Sequence, residues 1–426
     1  MCLLESREAM KSPTDRPQVA VPVCALILLA AVPIREAGPW SLLWTAPSLL
    51  LAAMLIAWAA ESAQFFIAQG FALAILAWLQ TLPEFAVEAV LALRQQVPLL
   101  LAGLTGALRL LTGLGWPLIY ATAALAHRRR GGGPLRAILL EDEHCVEVVG
   151  LLVCMAYATV IWWKASLNLF DAAVLIGIYA AYLLLLSKMP HKHEEGIEEL
   201  ERIPRGIVLA AKPVRVSIIA GLFIAGGATI YFVAELFLGS LQAVSASIGV
   251  STFFFVQWVA PFVSEFPEGV SAFNWARSIE RASMALMNLV SSNINQWTLL
   301  AAMLPIFYSY SRGAASSISF DSQQQLELLM TLGQSLVGAL FLINMELAWW
   351  EAAALFVLWA IQFALSPVEA GPGIVRTLAK GIHWHVTIAY LGWAAIEIAR
   401  MLLGRRKPAA FQHFAVMWKR HVITAR

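Results

Sequence analysis

The sequence predicts an all-α polytopic membrane protein made of two inverted repeats of five helices, with ten core transmembrane helices and an extra helix at each end. Composition is the first observation: of 426 residues, 60% are hydrophobic and 13% are charged, and the mean hydropathy is +0.73. A soluble globular chain has about 25% charged residues. The other two observations are an internal repeat and an uneven distribution of basic residues.

The two halves of the chain match each other at an offset of about 180 residues. Residues 77–84 superpose on 261–268 at an offset of 184, which aligns one Pro-Glu pair with another. Residues 168–182 superpose on 348–362 at an offset of 180. Internal duplication of this length is typical of secondary transporters. At the offset of 180, the matched acids in apolar surroundings are Asp171 with Glu351 and Glu147 with Glu327.

Each apolar run of about 20 residues is long enough to span a bilayer core of about 30 Å. The predicted helices lie at 19–34, 42–66, 70–95, 98–124, 144–163, 168–187, 214–240, 249–276, 282–310, 325–345, 348–366 and 379–403. This pattern divides the chain into five segments. They are an N-terminal segment with an extra helix (1–41), the first repeat (42–187), a linker (188–213), the second repeat (214–366), and an extra helix with a basic C-terminal tail (367–426).

The linker carries two histidines, His191 and His193, among several acids. This composition permits a regulatory cation site, but the spacing is not specific for zinc. A mixed-charge stretch between helices is also typical of a solvated connection. We therefore expect the linker to be a cytoplasmic loop.

The odd number of helices per repeat predicts that the second copy crosses the membrane in the opposite sense from the first. Lysine and arginine placement tests this, because cytoplasmic loops carry an excess of both. With the N-terminus inside, the outside segments hold few basic residues, namely Arg35, Arg94, Lys164, Arg312, Arg376 and Lys380. We therefore expect an integral, multi-pass protein of a bacterial-type inner membrane with both termini in the cytoplasm.

Two acids and two prolines interrupt an apolar run of the second repeat at residues 258–268, and the first repeat carries a similar Pro-Glu pair. The simpler interpretation is a kinked helix with acids near the membrane interface. An intramembrane acid is nevertheless a functional hypothesis by default, and broken helices are where secondary transporters hold ions. A hard cation needs oxygen ligands. The candidate cation-binding residues are Thr81, Glu84, Glu88, Thr105, Ser264, Glu265, Glu268, Asn288, Ser292 and Asn293.

The same stretches resemble the repeat motifs of the sodium/calcium exchanger family. Leu-Pro-Glu at 82–84 and Phe-Pro-Glu at 266–268 are similar to the family's Pro-Glu motif, and Ser-Asn at 292–293 is similar to the end of its Gly-Ser-Asn motif. The chain is identified as a divergent member, since Leu79 and Val263 stand where the family has glycine.

This resemblance implies ten core helices, alternating access and Pro-Glu acids that bind the transported ion. The implied metal ligands are Glu84 and Glu268. Thr81 and Ser264 are the implied hydroxyl ligands, and Asn293 is the implied amide ligand.

The first functional hypothesis is a cation antiporter that exchanges its substrate for Na⁺ or H⁺ by alternating access. The alternative is a degenerate exchanger-fold protein that acts as an ion sensor or scaffold without coupled transport. An enzyme is not expected, because no nucleophile and base stand out, and His383 and His385 lie far from the repeats in sequence. We expect no cofactor, only transported Na⁺, H⁺ or Ca²⁺. The expected partners are membrane lipid and small inorganic cations and not nucleic acid, while nothing in the sequence fixes an oligomeric state.

Arg109 is the one basic residue deep in the first repeat, four residues after Thr105 and on the same helical face. If that face lines the site, its permanent charge stands near Glu84 or Glu88 and opposes a divalent cation. This interpretation predicts a poor Ca²⁺ carrier that favours Na⁺ or H⁺. The alternative is that Arg109 reaches an interface or pairs with an acid elsewhere.

The inverted topology predicts which loops share a side of the membrane. Single cysteines placed near Arg129 and near His193 should react with a membrane-impermeant thiol reagent only from the cytoplasmic side. A cysteine near Arg312 should react only from outside. Labelling of the His193 and Arg312 positions from the same side would contradict the inverted repeat.

Overall fold

The computed structural model describes residues 37–66, 81–189, 200, 202–366 and 381–423. The leading helix predicted at 19–34 lies outside the described residues. So do the first half of the helix predicted at 70–95 and most of the acidic stretch of the linker. The described part is almost entirely helical, as predicted.

The first repeat contains the helices of residues 42–187, with two short strands between them. Its elements are α1 (Leu42–Ala63), α2 (Leu82–Leu93), α3 (Val97–Leu110), α4 (Trp116–Arg129), β1 (Ala137–Leu139), α5 (Cys145–Lys164), β2 (Ser166–Leu167) and α6 (Leu169–Leu186). Helices α3 and α4 form one continuous rod, because they are joined by a π-helical turn at Leu111–Gly115. The short helix α7 (Arg202–Val208) follows in the linker.

The second repeat has the same order of elements wherever both repeats are described. They are α8 (Lys212–Ile248), α9 (Thr252–Phe254), α10 (Ala260–Ser264), α11 (Phe266–Ala276), α12 (Ile279–Asn295), α13 (Ala301–Arg312), β3 (Ile318–Ser319), α14 (Ser322–Leu342), β4 (Glu346–Ala348) and α15 (Trp349–Leu365). Two more π-helical turns occur, at Phe255–Val259 between α9 and α10 and at Gln296–Leu300 between α12 and α13. The turns at 111–115 and 296–300 occupy equivalent places in the third helix of each repeat.

The strands show that the two repeats are inverted. Strand β1, which precedes α5, pairs antiparallel with β4, which follows α14, with Ile138 opposite Leu347. Strand β2, which follows α5, pairs antiparallel with β3, which precedes α14, with Leu167 opposite Ile318. Helices α5 and α14 are the fourth helices of the two repeats. The start of one therefore lies at the same end of the molecule as the end of the other, which requires opposite orientations.

Six helical segments among the described residues are long and apolar enough to cross a membrane. They are Pro39–Ala63, Val97–Arg129, Asp142–Lys164, Leu169–Leu186, Lys212–Ile248 and Ser322–Leu342. The helices that miss this criterion include α2, α11 and α12, which carry most of the predicted site residues. Helices α2 and α11 have 12 and 11 residues and are too short for this criterion, while acids and amides lower the hydropathy of α12.

The matched acids Asp171 and Glu351 lie in the first turns of α6 and α15 and cap those helices. The Asp171 carboxylate accepts a hydrogen bond from the backbone N–H of Asn168 at 2.8 Å, and the Glu351 carboxylate accepts one from Ala348 at 2.8 Å. A carboxylate at the third helical position satisfies an N–H that has no partner inside the helix. The sequence match at these two positions therefore reflects helix capping.

The C-terminal segment packs onto both repeats and is more extensive than predicted. Helix α16 (Ile382–Leu402) is followed by α17 (Ala409–Trp418) and a π-helical turn at Lys419–Ile423. The tail was predicted to be basic, but its Arg406 is buried, and the guanidinium donates to Glu351 at 2.6 Å and to Glu397 at 2.9 Å. One basic residue of the tail thus holds the tail to the start of α15.

Loss of the Arg406 guanidinium should destabilise the protein. Arg406→Gln leaves the buried acids Glu351 and Glu397 without this partner, and breaking a buried ion pair costs roughly 3 to 5 kcal/mol. We expect thermal unfolding in detergent to begin several degrees lower than in the wild type. Arg405→Gln is the matched control, because Arg405 is exposed, and it should unfold like the wild type. Equal stability of both variants would contradict an anchoring role for Arg406.

Candidate cation-binding site

Three buried carboxylates lie at the two interrupted helices, one in the first repeat and two in the second. Glu84 follows Pro83 in the first turn of α2, and Glu268 follows Pro267 in the first turn of α11. Glu265 lies at the break between α10 and α11. A proline is tolerated in the first turn of a helix, where its missing N–H would have no partner anyway. The Pro-Glu pairs thus begin new helical segments inside the bundle and place the acids at the breaks.

Gln296 connects the acids of the two repeats. Its Nε2 donates to Glu84 Oε2 at 3.2 Å and to Glu265 Oε1 at 2.7 Å. It is the first residue of the π-helical turn between α12 and α13, and such turns re-aim side chains at functional sites. One amide group therefore bridges a carboxylate of the first repeat and one of the second.

Glu268 on α11 is held by two side chains of α12, which lie in the turns before Gln296. Ser292 Oγ donates to Glu268 Oε2 at 3.0 Å, and Asn288 Nδ2 lies 3.4 Å from Oε1. Glu268 is also close enough to interact electrostatically with Glu84 and Glu265. The structure therefore brings together five of the predicted residues, namely Glu84, Glu265, Glu268, Asn288 and Ser292.

Several carboxylate oxygens of this cluster have no hydrogen-bond donor. Among the described residues, Oε1 of Glu84, Oε2 of Glu265 and Oε2 of Glu88 are buried without a partner. An unpaired buried carboxylate oxygen is costly, whereas such oxygens are the ligands that hard cations require. The cluster presents unpaired acceptors in a place where water is largely excluded.

Glu88 lies one turn beyond Glu84 on α2 and packs against α3. A Cβ at position 103 would lie 1.8 Å from Oε1 of Glu88, so a larger residue there would displace the Glu88 carboxylate from its present position. Glu88 interacts electrostatically with Glu84. The predicted Glu88 is therefore an outer member of the acid cluster, and Gly103 provides the space for it.

Two predicted hydroxyl ligands flank the acids. Thr81, the N-cap residue of α2, accepts a hydrogen bond at its Oγ1 from Asn295 Nδ2 at 2.8 Å. Ser264 precedes Glu265 directly and donates to the backbone oxygen of Ala260 at 3.1 Å. Both hydroxyls are buried.

Thr105 and Asn293 are not brought to the acids by the hydrogen bonds they make. Thr105 Oγ1 donates to the backbone oxygen of Leu101 at 2.7 Å, as hydroxyls in helices often do. Asn293 Nδ2 donates to the backbone oxygen of Leu108 at 3.3 Å and so ties α12 to α3. The role of Asn293 was implied by the family resemblance, and Thr105 was a candidate because it is a hydroxyl on the helix that follows Glu84. The neighbouring Asn295 and Gln296, which the prediction did not include, are the amides that reach Thr81 and the acids.

Arg109 pairs with an acid elsewhere, which decides between the two alternatives. Its Nη2 lies 2.7 Å from Oε2 of Glu327 on α14, and both side chains are fully buried. None of its hydrogen bonds goes to Glu84 or Glu88. Of the two alternatives left open, the structure therefore agrees with pairing to an acid elsewhere, and that acid is Glu327, which the repeat matches with Glu147.

The histidine at position 383 also lies closer to the repeats than the sequence analysis held. His383 Nδ1 lies 2.5 Å from Oε1 of Glu327. The separation of these residues in sequence concealed the contact, because α16 returns along α14.

The chain matches the profile of the family described as sodium/calcium exchanger protein over residues 39–188 and 218–366. It belongs to the sodium/calcium exchanger family. Among solved structures, the H⁺/Ca²⁺ exchanger CAX is 28% identical to this exchanger, with a TM-score of 0.81, and the match covers 94% of this chain and 96% of that chain.

Two further structures share the fold at lower identity. YfkE is 14% identical, with a TM-score of 0.57 and coverage of 82% of this chain and 98% of that chain. The sodium-calcium exchanger NCX_Mj is 17% identical, with a TM-score of 0.51 and coverage of 81% and 99%. A comparison with curated protein sequences gives no significant match.

The predicted family and fold are thereby confirmed, with two repeats of opposite orientation. Homology to Ca²⁺/H⁺ and Na⁺/Ca²⁺ exchangers also supports the predicted class of function, so this exchanger is a cation antiporter. The family and the apolar helices together make it an integral multi-pass membrane protein.

A glycine on α3 should be required for the interrupted helix to lie in place. A Cβ at position 106 would lie 1.9 Å from the backbone oxygen of Gln257, in the π-helical turn before α10. Gly106→Ala should therefore separate these segments, lower the unfolding temperature in detergent and reduce transport. Gly177→Ala is the matched control, because nothing lies within 4 Å of that position, and alanine favours a helix. Wild-type behaviour of Gly106→Ala would contradict the close approach.

Proposed function

We propose that this exchanger transports Ca²⁺ in exchange for H⁺, and that Glu84, Glu265 and Glu268 form the site that both ions use in turn. The observation that carries the proposal is the cluster of buried carboxylates drawn from both repeats. The hydrogen-bond donors observed on these acids are uncharged amide and hydroxyl groups, from Gln296, Asn288 and Ser292.

Charge balance explains why one site suits both ions. Carboxylates buried together in a low-dielectric interior repel one another and need positive charge nearby. A single Ca²⁺ supplies it through carboxylate oxygens, which are its usual ligands. Protons supply it when they bind to the same oxygens. Once either ion has compensated the carboxylates, the other binds less favourably. Such competition for one site is the condition for exchange.

Calcium is favoured over a monovalent substrate by the number of acids. Glu84, Glu265 and Glu268 carry three formal negative charges, and Glu88 adds a fourth at the edge of the cluster. Arg109 does not reduce this number, because Glu327 neutralises it. An Arg109 that faced the acids would have favoured Na⁺ or H⁺, but its contact with Glu327 supports the alternative that it pairs elsewhere. The similarity to CAX, described as an H⁺/Ca²⁺ exchanger, supports the same substrates.

The inverted repeats supply the means of alternating access. Glu84 in the first repeat and Glu268 in the second begin equivalent helical segments that run in opposite directions. A site between two such segments opens to one side when one repeat rocks against the other, and to the opposite side when the movement reverses. With the inner membrane of a bacterial-type cell as location and both termini in the cytoplasm, a pH gradient would drive Ca²⁺ out of the cell.

Neutralising either central acid should abolish exchange. Purified protein in liposomes, with an imposed pH gradient and tracer Ca²⁺, should take up Ca²⁺ in proportion to the gradient. Glu84→Gln and Glu268→Gln should each reduce the rate at least about a hundredfold, since an uncharged amide binds neither the proton nor the divalent cation in the same way.

The matched control is Glu280→Gln, an exposed acid in the first turn of α12, which should transport like the wild type. Full activity of Glu268→Gln would refute the proposed site. Saturable Ca²⁺ binding by the wild type without any flux would instead support the ion-sensor alternative.

A further inference from the structure

A second buried group of charged and polar side chains lies beside the central acids and is centred on Glu327. The Arg109 guanidinium donates to Glu327 Oε2 at 2.7 Å and through Nε to the backbone oxygen of Thr105 at 3.0 Å. It also lies 5.3 Å from the ring centroid of Trp258. Arg109 is fully buried. A charge in this position requires close and permanent compensation.

Two further side chains hold Glu327. Gln257 Nε2 donates to Oε2 at 2.9 Å, and His383 Nδ1 lies 2.5 Å from Oε1. Glu327 itself belongs to α14, while its partners belong to α3, to the π-helical turn before α10 and to α16. The carboxylate therefore joins both repeats and the extra C-terminal helix.

This cluster adjoins the proposed cation site through two elements. Gln257 lies eight residues before Glu265 in the same interrupted helix. Gly103, which packs against Glu88, lies six residues before Arg109 on α3, a rise of about 9 Å at 1.5 Å per residue. Over such a distance in a low-dielectric interior, an uncompensated charge has a large effect on ion binding.

The arrangement is present in only one half of the molecule. The offset that superposes the two Pro-Glu pairs places Asn293 at the position of Arg109, and the offset of 180 places Glu147 at the position of Glu327. Glu147 lies 3.4 Å from His144 on the preceding turn. The equivalent position on the third helix thus carries a neutral amide, and the cationic member of the pair is specific to the first repeat.

We propose that Glu327 is a positioning residue that cancels the charge of Arg109 and keeps its guanidinium away from the central acids. Arginine does not lose its proton in a protein, so without Glu327 its charge must be compensated by other carboxylates. Of the acids at the central site, Glu88 is the one that contacts α3, the helix that carries Arg109. Glu327 thereby sets how much negative charge the site offers to Ca²⁺, an inference that rests on the proposed Ca²⁺/H⁺ exchange.

The test measures the half-saturating Ca²⁺ concentration and the maximal rate of pH-driven uptake in liposomes. Glu327→Gln should raise the half-saturating concentration about tenfold or more, the order expected for one uncompensated buried charge. The double variant Arg109→Gln with Glu327→Gln should return it to within about threefold of the wild type. Glu327→Asp, which keeps the charge, should also remain near the wild type.

Two further variants make the result independent of folding defects. Arg109→Gln leaves Glu327 with Gln257 and His383, so it should fold and should not raise the half-saturating concentration; a rise would overturn the inference. Glu147→Gln is the control, because Glu147 matches Glu327 in the first repeat and Asn293 stands at the position that matches Arg109. The half-saturating Ca²⁺ concentration of this variant should equal that of the wild type.

The outcomes separate the inference from the proposed function. A double variant as impaired in half-saturation as Glu327→Gln would overturn the inference. So would a Glu327→Gln variant that changes only the maximal rate. A wild type without pH-driven Ca²⁺ uptake would overturn the proposed function itself.

Discussion

The structure depends on how it compensates carboxylates buried in a low-dielectric interior. Two solutions occur side by side. Glu327 and Glu351 each receive an arginine, from Arg109 and Arg406, so their charge is cancelled permanently. Glu84 and Glu265 share the amide of Gln296 instead. An amide orients a carboxylate but leaves its charge in place, so a transported ion is still needed. The type of partner thus separates the acids that hold helices together from those assigned to transport.

Interruptions in the helices make the second solution possible. Pro83 and Pro267 begin new helical segments inside the bundle, and the acids that follow them lie at the breaks. The π-helical turn that begins at Gln296 directs its amide to both repeats. Close approach of neighbouring segments requires glycine at position 106, where a side chain would meet the backbone of Gln257, while Gly103 leaves space for the Glu88 carboxylate. The helix breaks, the π-helical turn and the close packing of the helices together position the acids.

The C-terminal segment, which lies beyond the two repeats, is part of the same charge network. His383 on α16 contacts Glu327, and Arg406 after α16 contacts Glu351. Both acids belong to the second repeat and have acidic counterparts in the first, Glu147 and Asp171. Asp171 pairs instead with Lys164 from its own repeat. The two repeats share a backbone plan, and the C-terminal segment contacts both, since α16 packs against α14 of the second repeat and α17 packs against α5 of the first.

The sequence by itself determined the class, the repeat and the central acids. Composition and apolar runs follow from the bilayer, which excludes charge and requires helices of a given length. The Pro-Glu pairs at Glu84 and Glu268 were identified because both proline and a carboxylate are exceptional in such runs and recur in register. These signals are local, so one sequence reveals them. Tertiary structure alone decided the partners: Gln296 rather than Asn293 reaches the acids, and Glu327 rather than Glu84 or Glu88 holds Arg109. The direction of a side chain around a helix with a π-helical turn, and the helix it meets, depend on packing between segments far apart in the chain, which periodicity and spacing do not encode.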